Sequence, residues 1–172
     1  MGFLDGIDDL LKQATSSNAP EADVHAAYDR VAAVAPRGAL ADGLTHVFNS
    51  DQTPPFEQMV SGLFSKSNGD QKAGLLNQIL GSLGPGALAQ VLGGAGGLGS
   101  LAGNSSGGSV TPAQAQQVSP DEVQVLAQKA AGNDPSIVNT VAGFYAQHST
   151  LVKAIGAGAL ALLMSRISQS RN

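Results

Sequence analysis

The chain has 172 residues, no cysteine and no tryptophan, and a formal net charge of −4 from 9 basic and 13 acidic side chains. Without cysteine there are no disulfides, thiolate metal sites or cysteine nucleophiles, and a negative field with no Lys/Arg cluster excludes nucleic acid as a natural partner. Hydrophobic residues make up 42% of the chain and aromatic ones only 4%, so its helices must pack thinly and closely, each burying little area; such a chain gains by associating.

The N-terminus, Met1-Gly2-Phe3-Leu4-Asp5, carries acids where a secretory signal needs positive charge, which predicts cytoplasmic residence. Gly6 stands where a myristoylation signal needs Ser or Thr. Phe3, Leu4, Ile7, Leu10, Leu11 and Ala14 share one face of a first helix. A second follows Asn18, read as its cap with Glu21 three residues on; it presents Val24, Ala27, Tyr28, Val31 and Val34 and stops at Pro36. Leu40, Leu44, Val47 and Phe48 mark a third.

Thr53 before Pro54 and Pro55 reads as the cap of a fourth helix, with Phe56, Met59, Val60, Leu63 and Phe64 inward. Leu75, Leu76, Ile79, Leu80 and Leu83 mark a fifth, and 87–92 a brief sixth. The tract GGAGGLGSLAGNSSGGSV from Gly93 to Val110 has neither period nor charge and reads as a flexible linker. Thr111-Pro112-Ala113-Gln114 and Ser119-Pro120-Asp121-Glu122 are successive capping boxes, and Asp134-Pro135 begins another helix. The result is helices near 119–131, 134–147 and 150–168. Charge divides the chain in the same way: residues 1–92 carry five basic and ten acidic side chains, 119–172 carry four and three, and 93–118 carry none.

The predicted class is therefore all-α, with no strand pattern: about six short helices over 1–92, an uncharged Gly/Ser/Ala-rich linker over 93–118, and a three-helix C-terminal unit over 119–172. Chemistry is hard to place on it. Gly94/Gly96/Gly99 and Gly156/Gly158/Ala161 fit dinucleotide-loop spacing but lack the strand that must deliver it. His25, His46 and His148 fall in separate helices without metal-ligand spacing, and Asp5, Asp8 and Asp9 lack the rest of an EF-hand. Ser61, Ser65 and Ser165 sit in no nucleophile elbow. No catalytic residue, cofactor or metal is expected. The run Gly156-Ala157-Gly158-Ala159 offers a shallow groove for close helix packing, and the apolar stretch 151–164 is shorter than the roughly 20 residues needed to cross a bilayer.

The start Met1-Gly2-Phe3-Leu4-Asp5, the low-aromatic helical character and the stretch LLNQILGSLGPGALAQVLGG resemble small bacterial proteins of the YidB-like kind. That resemblance covers mainly the first helix and residues 70–92; it implies an all-helical fold and a bacterial source and carries over no functional residue. The 93–118 segment departs from it.

These readings converge on a non-enzymatic structural or interaction protein that forms a homo-oligomer through helix packing, by exchange of the C-terminal unit into a closed dimer, ring or filament. The residues expected to carry self-association are Phe3, Ile7 and Leu10 on the first helix and Ile155, Gly158, Leu162 and Ile167 on the last. The alternative is a membrane-surface or envelope-stress protein anchored by a terminal helix, disfavoured by the acidic flanks of the first helix.

Overall fold

The computed structural model describes residues 9, 20–93, 99, 101 and 109–169. Among these residues the chain is all-α: ten α-helices, one 3-10 turn and no strand. The helices are α1 (Glu21–Val34), α2 (Arg37–Phe48), α3 (Phe56–Lys66), α4 (Gly69–Ser82), α5 (Pro85–Leu92), α6 (Pro112–Ala115), α7 (Pro120–Asn133), α8 (Ile137–Ala146), α9 (Ser149–Val152) and α10 (Ala157–Gln169), with the 3-10 turn at Lys153–Ile155. The anticipated first helix, with Phe3, Ile7 and Leu10, lies outside the described residues.

Proline and short polar side chains set the helix starts. Pro20, Pro36 and Pro55 occupy the cap positions of α1, α2 and α3 without a side-chain cap bond. Thr53 is therefore not the cap of α3 that its sequence context suggested. Its hydroxyl donates instead to the carbonyls of Val47 at 2.6 Å and Ser50 at 3.0 Å, closing the turn after α2. Reciprocal capping boxes form where the motifs place them, Thr111 with Gln114 and Ser119 with Glu122. A third, Asn68 with Gln71, starts α4. Each satisfies two backbone N–H groups that would otherwise be unpaired. Val34, grouped with the inner stripe of α1 by its spacing, is 60% exposed because it occupies the helix's last position.

Contacts divide the chain into two compact units, residues 1–53 with 142–172, and residues 54–141. The helices beyond residue 119 are thus shared between the units rather than standing as a unit of their own. In the second unit α7 packs along α3 and also meets α4, while α6 packs on α4. Its interior is mainly aliphatic, with Val60, Leu63, Leu75, Leu76, Ile79, Val123 and Leu126 fully enclosed beside the equally enclosed Phe64. Lys72 lays its ammonium over the Phe64 ring, 5.0 Å from the centroid.

The stretch 109–118, assigned to the linker by its composition, is packed instead. Val110, Ala115 and Val118 are buried, and Asn77 of α4 holds the entry by a two-way bond. Val110 N–H donates to Asn77 Oδ1 at 2.7 Å, and Asn77 Nδ2 donates to the Val110 carbonyl at 3.2 Å. A side-chain amide that mimics a peptide in this way fixes a segment too poor in apolar residues to fix itself. Asn77→Ala should leave both Val110 groups unpaired in a part-buried site and cost about 1–3 kcal/mol of stability, read as a fall in the urea midpoint of the unfolding transition.

Candidate functional site

The sequence offers its clearest candidate at the C-terminal end, and the first unit shows how that segment is held. Residues 150–168 read as one helix, but the chain breaks there: α9 passes into the 3-10 turn, Gly156 takes φ +95° and ψ 157°, and α10 begins afresh. Gly156 is the one described residue with positive φ, in a region open essentially to glycine alone. Around it the chain stays hydrogen-bonded, Gly156 N–H donating to the Lys153 carbonyl at 3.4 Å and Leu160 N–H to the Gly156 carbonyl at 3.0 Å.

The two sides of this break are held by different physics. Before it, the attachment to α1 is polar. The Tyr28 hydroxyl donates to the Ser149 carbonyl at 3.0 Å, and Lys153 Nζ lies 2.7 and 2.8 Å from the two carboxylate oxygens of Asp29. Tyr28 is only 1% exposed, and burial, with a smaller contribution from the Asp29 charge, raises its hydroxyl well above the usual tyrosine pKa. Beyond the break the attachment is apolar. Ala159, Leu160, Leu163, Met164 and Ile167 are buried, on the face with which α10 meets α2 and α1.

Close approach is made possible from the other side of that contact. A methyl group placed on Gly43 of α2 would lie 2.5 Å from Leu163 Cδ1 and 3.4 Å from Ile167 Cγ1, so Gly43 is the gap into which Leu163 fits. The run 156–159 was expected to supply this groove, and it does not: Gly156 is used for its backbone, and an added Cβ on Gly158 meets nothing within 4 Å. Of the residues expected to mediate self-association, Ile167 is enclosed by its own chain at 2% exposure. Ile155 and Leu162 are half-buried and Gly158 is exposed, on the outer side of the same segment. Sequence reasoning missed Gly43, although a glycine inside the Leu40/Leu44/Val47 stripe, at about 1 kcal/mol below alanine in helix propensity, is itself a signal of close packing.

Other candidates carry less chemistry. His25 Nε2 lies 4.0 Å from Glu21 Oε1 in α1, and His46 falls in the last turn of α2. His148 holds the cap position of α9 with its ring 4.9 Å from that of Phe144. Among the described residues no three His, Asp or Glu side chains are grouped to hold a metal ion, and no helix is long and apolar enough to cross a membrane. The second unit has a cleft of about 360 Å³ between α4, α5 and the 109–114 segment, walled by Leu80, Leu88, Leu92, Leu101 and Val110. Among the described residues no titratable side chain lines it, and Asn77 at its edge is taken up by Val110.

Two outcomes check this geometry. Gly43→Val should overpack the Leu163 gap and lower stability by about 1–3 kcal/mol, measured by urea unfolding. The raised Tyr28 group contributes stability that is complete below the ordinary tyrosine value near 10 and is lost as pH rises toward the folded-state value. Tyr28→Phe should cost about 1 kcal/mol at pH 7 by removing the bond to Ser149, yet lose less stability than the parent between neutral pH and strong alkali.

Comparison with protein-family models, with curated proteins and with solved structures finds no match to this chain.

Proposed function

We propose that this protein is a non-enzymatic interaction protein that self-associates by exchange of its last helix, the α10 of one copy filling the α1–α2 groove of another. The observation that carries this reading is how the groove is filled. The first unit joins partners 121 and 124 positions apart at Tyr28–Ser149 and Asp29–Lys153, so the helix that covers the groove is held by packing and not by a short connection. An identical α10 from a second copy brings the same five buried side chains to the same gap at Gly43. Exchange therefore changes the covalent origin of the contacts and not their chemistry. Reciprocal exchange closes a dimer; head-to-tail exchange gives a ring or filament.

The exchanged element is smaller than composition suggests. Because α7 packs with α3 and α4, the stretch 119–172 is not free to move as one body, and the reading narrows to α10. The proposal is of a cytoplasmic homo-oligomer.

Because the chain is free of cysteine, single labels are easily placed. Asp42→Cys on α2 and Arg166→Cys on α10 substitute exposed residues on the two packed helices. Full-length copies labelled with donor at one position and acceptor at the other, mixed and incubated, should develop energy transfer, and light scattering should give multiples of 17.2 kDa as concentration rises. A single 17.2 kDa species from low micromolar to near-millimolar concentration would overturn the reading, as would larger species that form without energy transfer.

A further inference from the structure

The geometry points to Gly156 as the conformational switch that decides whether α10 folds back on its own chain or is delivered, through a straightened 149–169 helix, to a second copy. This rests on the exchange reading above and specifies how that exchange is controlled.

Three observations meet at this residue. Its φ of +95°, directly after the 3-10 turn at Lys153–Ile155, interrupts a stretch, STLVKAIGAGALALLMSRISQ, whose alanines, leucines and methionine otherwise favour a continuous helix. Next, the break separates two kinds of attachment. The residues just before it are pinned to α1 by Tyr28 and Asp29, whereas those after it bury an apolar face of Ala159, Leu160, Leu163, Met164 and Ile167. A rotation at Gly156 thus releases α10 without disturbing the polar pins, which keep the 149–155 segment on its own chain as a fixed base. The third observation is steric. A Cβ added at Gly156 meets nothing within 4 Å, so the position is glycine for its backbone angles and not for lack of room.

The straightened form follows from ordinary helix geometry. With Gly156 at helical angles, Ser149–Gln169 becomes one helix about 30 Å long, and its α10 half points away from the parent groove toward a neighbour's. Ile155 and Gly158, half-buried and exposed on either side of the hinge, then lie where two such helices cross. In this form the small, partly apolar surface around the break gains a partner that the folded-back form does not give it.

Gly156→Ala places a methyl in open space and penalises only the folded-back angles, while favouring the straight helix. It should lower the concentration at which half the chains are dimeric by about tenfold or more, with added helical signal in circular dichroism. Inserting two glycines after Gly156 should act in the opposite direction, relaxing the turn and raising that concentration above the parent's. Parent protein that associates while both variants associate just as it does rejects the switch and leaves the exchange reading standing. Parent protein that stays monomeric throughout rejects the exchange reading itself. If Gly156→Ala fails to fold, the insertion variant decides, since dimerisation unchanged from the parent's would overturn the switch.

Discussion

The seating of Leu163 in the gap left by Gly43 is the contact on which the first unit depends. Helices α1 and α2 together expose an apolar groove that neither can close, and the side chains that close it lie on α10, at the far end of the described chain. Closing so long a loop costs entropy that grows only with the logarithm of its length. Nesting the 54–141 unit inside that loop therefore adds little penalty once the unit is itself folded. The kinetic side is less forgiving, because contacts between residues more than 120 positions apart slow a folding reaction.

Around this contact the chain separates apolar holding from polar positioning. Buried aliphatic and alanine side chains supply the attraction, and close helix approach compensates for their small individual areas. The few polar bonds that reach across sequence act as registers. Tyr28 to Ser149 and Asp29 to Lys153 fix where the C-terminal segment begins, and Asn77 to Val110 fixes where the chain returns to the second unit. An exposed ion pair such as Asp29–Lys153 contributes at most about 1 kcal/mol, so its part is to set position more than to stabilise. Tyr28 combines both roles, with a buried ring and a hydroxyl that still finds an acceptor.

How much of this was legible in the sequence follows from the range of the interactions involved. Local signals read well: the apolar stripes of α1 to α4, and the Thr111–Gln114 and Ser119–Glu122 capping boxes, depend on residues three or four apart. Where two local signals compete, reading fails, as at Thr53, whose hydroxyl closes the preceding turn while Pro55 takes the cap position. The break at Gly156 was hidden because glycine in an Ala/Leu-rich run, here Gly156 and Gly158, is compatible with a helix, and only tertiary attachment on both sides selects the other conformation. Composition alone extended the linker to 118, because Val110 and Val118 have too few apolar neighbours in sequence to reveal that Asn77 waits for them on α4. The grouping of helices was least legible of all: nothing within 119–172 says that α7 belongs with α3 while α10 belongs with α2.

The nested order of the two units has a consequence for synthesis. A ribosome makes α1 and α2 first, yet their covering helix is among the last described residues to emerge. Every segment of the 54–141 unit leaves the tunnel ahead of α10. The inner unit is thus free to mature first, reversing the usual N-to-C sequence of domain folding, while the Leu40/Leu44/Val47 stripe waits uncovered. On a polysome, where nascent chains crowd together, that waiting surface is presented to neighbouring chains at the same stage, each with an α10 soon to follow.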